Sequence, residues 1–263
     1  MASIFVPTQR LQMNTDKMTM RKAMTLLFSD IERKGPGDDA FTKSILGRLP
    51  KIPDNARIVD LGCGTGAGSV LLAQHYRLPV LCVDTSQEFL ATLEGHAERL
   101  GLTSLITPLQ ADMGKLNSHE HQFDLLWSEG AAYNLTFDVA MEKWRPLMAD
   151  GGVAVVSEMS WFGAERPQKV LDYWGEAYPQ MASETANIQS AERHRFEVLF
   201  TERLPAPSWW KYYYDPLLAK ADALSEGASE KLQEAIDETR LETDVFRGGS
   251  NHFGYTFYGL KAV

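Results

Sequence analysis

A glycine-rich run at residues 59–66, VDLGCGTG, constrains the fold more than any other segment of the chain. It overlaps a short apolar stretch at 58–61 and precedes apolar residues at 70–72. A strand that turns this sharply into a helix needs glycine, because glycine adopts positive φ angles and lets a ligand approach the backbone. The free N–H groups at the helix N-terminus would face that ligand. The run therefore predicts a ligand-binding turn between a strand and a helix.

Apolar stretches typical of buried strands alternate with helical patterns in the first half of the chain. Beyond the first strand they lie at 79–83, 105–109, 123–127 and 153–156. Such alternation is typical of βαβ units. We therefore expect an α/β fold, with a mostly parallel sheet of seven strands and helices on both faces.

The second half of the chain departs from this alternation. Two helical patterns come first, and a strand is predicted at 196–204. The acidic segment 217–246 is predicted to form one or two helices with a solvent-exposed face, and a strand rich in aromatic residues closes the chain. We expect one domain over 1–263, with capping helices within 1–50 and a partial lid within 160–246.

The net charge of −9 argues against nucleic acid as a partner, because an acidic surface repels phosphate backbones. Cys63 and Cys82 lie in the glycine run and in a predicted strand, so no disulfide framework is expected. No apolar run of 18 residues and no signal-peptide pattern is present, which predicts a cytoplasmic protein without a membrane span. The oligomeric state stays open, and a homodimer is one alternative.

No metal site is predicted. His119 and His121 flank Glu120, but a metal site needs more ligands than this spacing provides. We therefore expect these residues to form a solvated loop.

The glycines alone fit two kinds of cofactor site. Gly62, Gly64 and Ala67 match the G-x-G-x-x-A pattern of dinucleotide-binding folds, and Asp84 follows at a distance that suits a ribose. A nicotinamide-dependent oxidoreductase is therefore one alternative.

Three other features favour a different ligand. Asp60 lies two positions before the first glycine, where it can hold a cationic amino group. Asp112 and Met113 follow the third predicted strand, where they suit the amino group and ring of an adenine. The late pair of strands around helical segments is similar to a C-terminal hairpin added to such sheets.

The run at 59–66, Asp84 and the pair Asp112 and Met113 resemble the motifs of class I S-adenosylmethionine-dependent methyltransferases. Within that class, the chain is similar to a bacterial group related to the ubiquinone/menaquinone-biosynthesis type. The segments that carry this second likeness are SDIERKGPG at 29–37, WSEGAAYN at 127–134, SEMSWF at 157–162, DYWGEAYP at 172–179 and GYTF at 254–257. The likeness covers nearly the whole chain. It implies a Rossmann-like sheet and methyl transfer from S-adenosylmethionine to a small molecule.

The resemblance also assigns roles to residues of the cofactor site. It implies that Asp84 hydrogen-bonds the ribose hydroxyls, that the glycines pass close to the methionyl part, and that Asp112 and Met113 contact the adenine. The predicted cofactor-binding residues are Asp60, Gly62, Gly64, Gly66, Asp84, Thr85, Asp112, Met113 and Ser128.

The predicted catalytic residues are Glu129, Tyr133 and Glu158, which follow the fourth and fifth predicted strands. Ligands of open α/β sheets bind beyond the carboxyl ends of the strands, so these side chains should face the acceptor. The alternatives stay open: Glu129 could bond a neighbouring backbone group, Tyr133 could belong to the core, and Glu158 could be an exposed charge. The aromatic run at 209–214 could line the substrate pocket, although packing within the cap is favoured.

The acceptor atom is not determined by the sequence. An amine, a hydroxyl and an aromatic carbon all remain open. Besides the oxidoreductase, a non-catalytic module that binds S-adenosylmethionine is a second alternative, and it would bind the donor without methylating an acceptor.

Overall fold

The computed structural model describes residues 18–29, 31, 33–118 and 122–263. The strands are β1 Ile58–Leu61, β2 Val80–Asp84, β3 Ile106–Gln110, β4 Phe123–Ser128, β5 Met148–Trp161, β6 Ala182–Ser183, β7 Phe196–Arg203 and β8 Phe253–Ala262. The helices are α1 Met20–Phe28, α2 Asp39–Leu46, α3 Ala67–Tyr76, α4 Gln87–Arg99, α5 Phe137–Trp144, α6 Gln168–Ala177, α7 Glu184–Arg193, α8 Ala206–Trp209, α9 Asp215–Ser225 and α10 Glu230–Gly249. A π-helical turn, Trp210–Tyr214, joins α8 to α9.

The strands form one sheet in the order β3-β2-β1-β4-β5-β8-β7. All pairs are parallel except those of β8, which runs antiparallel to both β5 and β7. The two-residue strand β6 pairs with the end of β5 and makes the sheet eight-stranded. The predicted α/β class and the mostly parallel, Rossmann-like sheet are confirmed, with this short strand as the one addition to the predicted seven.

Strand β5 is much longer than the prediction at 153–156. It pairs with β8 from Val153, opposite Lys261, to Trp161, opposite Phe253. The buried polar residues of its second half interrupt the apolar pattern, which is why the sequence indicated only the first part. As a result Glu158 lies inside the strand, opposite Thr256, and not beyond its end.

Helices cover both faces of the sheet. One face packs against α5 and α7, where Trp144 is fully buried. The other face packs against α3, α4, α6 and the helices of the N-terminal and C-terminal regions. Helix α1 contacts α9 and α10, so an N-terminal helix packs against helices from late in the chain.

The acidic helix α10 is exposed to solvent on one side and buried on the other, which corrects the prediction for 217–246, where no buried side was expected. Its buried side includes Leu232, Ile236, Glu242 and Phe246. These positions recur at intervals of four to six residues, and the many charges between them hid the apolar stripe.

Part of the predicted capping region, residues 1–17, and the predicted solvated loop His119 to His121 lie outside the described residues. In the part of the chain that is described, no cluster of three His, Cys, Asp or Glu side chains could hold a metal ion. Among these same residues, no helix combines the length and apolar character that a membrane span requires.

Candidate functional site

The glycine loop leaves the end of β1 through three residues with positive φ: Gly62 at 74°, Gly64 at 54° and Gly66 at 93°. A Cβ atom at Gly62 would lie 2.3 Å from Cβ of Ala131, and one at Gly66 would lie 2.1 Å from Cδ1 of Leu93. A Cβ at Gly64 would meet no atom within 4 Å. The outer glycines are therefore required for packing, whereas Gly64 faces open space that a ligand can enter.

Asp84 ends strand β2 beside this loop. Its carboxylate accepts hydrogen bonds from the backbone N–H groups of Gly64, at 2.9 Å, and of Ser86, at 2.8 Å. Ser86 is the N-cap of α4, so Asp84 is not the capping residue. The next residue, Thr85, is exposed, and its carbonyl accepts a hydrogen bond from Gln110. The loop amide thus fixes the Asp84 carboxylate at the edge of the predicted cofactor site.

Asp60 is buried between the glycine loop and the start of α3. Its carboxylate accepts a 2.6 Å hydrogen bond from the Ser69 hydroxyl. Burial raises the pKa of Asp60 to about 7, although the Ser69 hydrogen bond acts in the opposite direction. The negative charges of Glu129 and Asp84 raise this pKa further. A cationic ligand nearby would lower the pKa of Asp60 again.

Asp112 lies in a turn just after β3. Its carboxylate accepts a hydrogen bond from the Gly114 N–H at 2.9 Å and pairs with the Lys115 ammonium at 2.9 Å. The contact with Lys115 holds the pKa of Asp112 below its usual value. The side chain remains partly exposed, so it is accessible to a ligand but already paired.

Met113 and Ser128 flank the glycine loop from neighbouring strands. The Met113 sulfur lies 3.5 Å from the position that a Cβ of Gly62 would take, and its carbonyl accepts a hydrogen bond from the Trp144 indole. Ser128 is buried and donates its hydroxyl to the carbonyl of Leu61 at 2.8 Å. Ser128 therefore supports the end of β1 from beneath the loop.

Glu129 is fixed by three side chains. Oε1 accepts from the Arg33 guanidinium at 3.0 Å, and Oε2 accepts from Thr42 at 3.2 Å and from the Trp127 indole at 3.3 Å. Arg33 also pairs with Asp39 at 2.5 Å. The predicted alternative of a backbone partner does not describe these contacts. Glu129 therefore anchors Arg33 and α2 next to the end of β4.

Tyr133 and Glu158 lie near each other on the inner side of the sheet edge. The rings of Tyr133 and Tyr178 meet edge to face, with centroids 6.3 Å apart. Glu158 is 2% exposed, and neither carboxylate oxygen accepts a hydrogen bond of ordinary geometry from the described residues. Burial raises the pKa of Glu158 to about 8, partly offset by the Tyr178 hydroxyl. The predicted alternative of an exposed strand-end charge is therefore wrong.

A small cavity opens next to these residues, which we call the acceptor cavity. It is lined by Lys34, Gly35, Pro36, Gly130, Tyr133, Met159, Trp174, Trp209, Tyr213, Glu242 and Tyr255. The segment 128–133 separates it from the glycine loop: Ala131 packs against Gly62, while Gly130 and Tyr133 line the cavity. One short segment therefore contacts the glycine loop at Gly62 and also lines the cavity.

Glu242 is the functional candidate that the sequence analysis missed. It lies on the buried side of α10 and accepts hydrogen bonds from the hydroxyls of Tyr214, at 2.9 Å, and Tyr173, at 3.2 Å. Burial raises its pKa to about 7. Its spacing of four residues from the buried Phe246 was a signal for an inward-facing carboxylate, but the acidic composition of the segment concealed it.

The aromatic run at 209–214 fulfils both predicted roles. Trp209 stacks on Phe246 with ring centroids 4.5 Å apart, which is packing within the cap. Trp209 and Tyr213 also line the acceptor cavity. The cavity has a volume of about 40 Å³ and is partly open to solvent.

Comparison with known proteins agrees with this arrangement. Residues 58–152, which contain the glycine loop, Asp84 and Asp112, match the sequence profile of a family described as methyltransferase domain. No curated protein sequence matches the chain.

Solved structures share the fold at low sequence identity. A SAM-dependent methyltransferase from Geobacter sulfurreducens, in complex with S-adenosyl-L-homocysteine, is 18% identical and has a TM-score of 0.78 over 92% of this chain and 98% of that chain. A SAM-dependent methyltransferase from Thiobacillus denitrificans, in complex with the same compound, is 18% identical, with a TM-score of 0.76 over 91% of this chain and 97% of that chain. The [4+2]-cyclase SpnF is 19% identical, with a TM-score of 0.68 over 85% and 81%. Residues 58–152 thus match a methyltransferase domain, the solved structures share the fold of the whole chain, and both findings support the prediction of a class I S-adenosylmethionine-dependent methyltransferase.

Proposed function

We propose that S-adenosylmethionine binds across the glycine loop and that its methyl group passes to a small molecule held in the acceptor cavity. The observation that carries this proposal is the adjacency of the two parts. The donor would occupy the open space beside Gly64. The segment 128–133 packs on the same loop and also lines a cavity that contains aromatic residues and one carboxylate. A donor and an acceptor bound there would lie on two sides of one short segment.

The donor roles that we propose follow the fixed geometry around the loop. Asp84 is held by the Gly64 amide and can accept hydrogen bonds from the ribose hydroxyls. Met113 lies beside Gly62 and offers an apolar surface to the adenine ring. Asp60 supports the loop from beneath and Ser128 supports the end of β1, so their roles are positioning ones.

On the acceptor side, Tyr133 lines the cavity and can orient the acceptor through its ring edge and hydroxyl. Glu129 instead anchors the N-terminal segment through Arg33. The candidates for proton transfer are therefore the buried carboxylates of Glu158 and Glu242. Burial raises their pKa values toward neutrality, as an efficient general base requires. The segment 33–38 closes one side of the cavity, which supports the proposal that the N-terminal region acts as a lid.

The sheet topology disfavours an oxidoreductase. The dinucleotide-binding fold has strand order 3-2-1-4-5-6, whereas here the antiparallel strand β8 lies between β5 and β7. The presence of a cyclase among the structural neighbours shows that this fold serves more than one reaction, so the test must measure methyl transfer itself. The cavity beside the loop favours an enzyme over a binding module.

We further propose that the protein acts in the cytoplasm and not on nucleic acid. The net charge of −9 supports a small-molecule acceptor, because phosphate backbones would be repelled. A homodimer remains an untested alternative to a monomer.

Calorimetry with S-adenosylmethionine, S-adenosylhomocysteine and NADH tests the donor site. We expect the two sulfur compounds to bind and NADH not to bind. Asp84→Asn should weaken donor binding by about 1.5 kcal/mol, roughly tenfold, because a charge-assisted hydrogen bond becomes a neutral one. Asp112→Asn is the matched control and should change affinity by less than about threefold, because Asp112 is already paired with Lys115.

Methyl transfer is then measured with isotopically labelled donor and a panel of acceptors, read by mass spectrometry. Binding of NADH without binding of S-adenosylhomocysteine would overturn the proposal. Donor binding without transfer to any class of acceptor would favour the non-catalytic module.

A further inference from the structure

The acceptor cavity contains a carboxylate whose charge the described residues do not neutralise. Glu242 is 4% exposed, and both of its oxygens accept hydrogen bonds from phenol groups. No ion pair among the described residues includes Glu242. Phenols donate hydrogen bonds but carry no compensating charge. A buried carboxylate without a cation is costly, and a cationic ligand would remove that cost.

Aromatic residues make up half of the other residues that line this cavity. The aromatic wall consists of Tyr133, Trp174, Trp209, Tyr213 and Tyr255. The faces of aromatic rings attract cations, and the attraction is strongest where water is excluded. A carboxylate and an aromatic wall in one cavity are complementary to the same kind of ligand.

Lys34 is the other charged residue that lines the cavity. Its ammonium donates hydrogen bonds to the carbonyls of Phe28, at 2.7 Å, and Ile31, at 2.8 Å. These carbonyls lie at and just beyond the C-terminal end of α1, where a cation is stabilised. The charge of Lys34 is therefore compensated within the protein, whereas the charge of Glu242 is not.

We infer that the methyl acceptor is an amine whose nitrogen binds between Glu242 and the aromatic wall of the acceptor cavity. This inference rests on the proposed function and names the acceptor class for the same site. It also assigns Glu242, which the sequence analysis left in a solvated helix, to substrate binding.

The chemistry of an amine acceptor gives Glu242 a second role. A bound ammonium must lose a proton before its nitrogen has a lone pair, and the Glu242 carboxylate can accept that proton. The lone pair then forms the bond to the methyl carbon while the bond from that carbon to sulfur breaks. The bonding electrons return to sulfur, which leaves S-adenosylhomocysteine and a methylated ammonium. A carboxyl pKa near 7 suits this proton transfer at neutral pH.

The inference is tested by calorimetry on protein saturated with S-adenosylhomocysteine at pH 7.5. Three pairs of probes have matched shapes and differ in charge: 2-(dimethylamino)ethanol with 3-methylbutan-1-ol, choline with 3,3-dimethylbutan-1-ol, and benzylamine with benzyl alcohol. In at least one pair we expect the cation to bind about tenfold more tightly, which corresponds to about 1.4 kcal/mol. The anion 3-methylbutanoate, which would prefer Lys34, should bind more weakly than the cations.

Glu242→Gln keeps the size of the side chain and one acceptor oxygen for the tyrosine hydroxyls, and it removes the charge. We expect this variant to lose the preference for the cation while it binds the neutral probes as before. The matched control is Glu238→Gln, because Glu238 lies one turn earlier on α10 and also accepts a hydrogen bond from Tyr173, but does not line the cavity. The control should retain the preference of the unaltered protein.

The outcomes separate this inference from the proposed function. If S-adenosylhomocysteine does not bind the unaltered protein, the proposed function fails. If it binds, but no cation is preferred over its partner, if 3-methylbutanoate binds best, or if Glu242→Gln keeps the preference, only the amine inference is overturned.

Discussion

The donor side and the acceptor side of the site are assembled from the chain in different ways. The glycine loop, Asp84 and Met113 come from one continuous segment of βα units, and each lies at or just beyond the end of a parallel strand. The acceptor cavity combines residues from Lys34 to Tyr255, which belong to the N-terminal segment, the loop after β4 and the C-terminal helices. The first depends on local sequence, and the second depends on tertiary packing of distant segments.

On the proposed assignment, this difference separates the residues that fix the reaction from those that fix the substrate. Donor-side positions follow from turn geometry, which tolerates few alternatives at φ values such as the 54° of Gly64. Acceptor-side positions depend on which side chains the N-terminal segment and the helices after β5 place along the cavity. The acceptor can therefore change between proteins with this fold while the donor site remains the same.

The largest effect that we predict is at the open glycine. Gly64→Ala should reduce donor affinity by at least about 100-fold, or about 3 kcal/mol, because its methyl group enters the space left for the ligand. Gly101→Ala is the matched control, since Gly101 also has a positive φ and open surroundings but lies at the end of α4. Both variants should lose about 1 kcal/mol of stability, measured by urea unfolding, and only the first should lose donor binding in calorimetry. Equal donor affinity in both variants would show that Gly64 does not face the donor.

The next effect concerns the pH dependence of stability, which the buried carboxyl of Glu158 influences. Its pKa is raised in the folded state to about 8, so the protonated form is favoured by folding. The contribution of Glu158 to stability is fully present below its unfolded pKa of about 4.3. This contribution decreases as the pH rises from about 4.3, and it is fully lost once the pH has passed the folded-state pKa of about 8. Between pH 5.5 and 7.5 this loss should amount to about 2 kcal/mol.

Glu158→Gln should remove this part of the pH dependence. The comparison is the free energy of unfolding in urea at pH 5.5 and 7.5 for both proteins without ligand. Glu197→Gln, at an exposed position of β7, serves as the control and should leave the slope unchanged. If the free energy of unfolding changes equally between pH 5.5 and 7.5 in Glu158→Gln and in the unaltered protein, Glu158 is already ionised at neutral pH.

The smallest effect separates anchoring from base catalysis at Glu129. Glu129→Gln should lower the free energy of unfolding by about 1–2 kcal/mol, because Arg33 loses a charged partner but keeps Asp39. Glu202→Gln breaks the exposed ion pair with Arg48 and should cost less than about 0.5 kcal/mol. Turnover in Glu129→Gln should fall less than about tenfold. A loss of 100-fold or more with unchanged stability would restore Glu129 as the base.

The sequence allowed the glycine loop and the sheet to be predicted because their signals are local. Glycine spacing and the ends of apolar strands indicated the loop, and the sheet followed from the alternation of elements. Glu158 was placed beyond its strand because buried polar residues in β5 broke the apolar pattern, and only the pairing with β8 keeps that segment extended. Glu242 and Arg33 could not be assigned, because their importance depends on partners 28 to 96 positions away in the chain.

The position of β8 also determines the order in which the molecule can be completed during synthesis. Strand β7 leaves the ribosome first, but it has no place in the sheet until β8 has been made, because β8 lies between it and β5. Until then the edge of β5 is unpaired along most of its length, and an unpaired edge is a template for association with other chains. We therefore expect this half to complete its sheet only after β8 has been synthesised, and to fold more slowly than the βα units before it, since its contacts join distant parts of the chain.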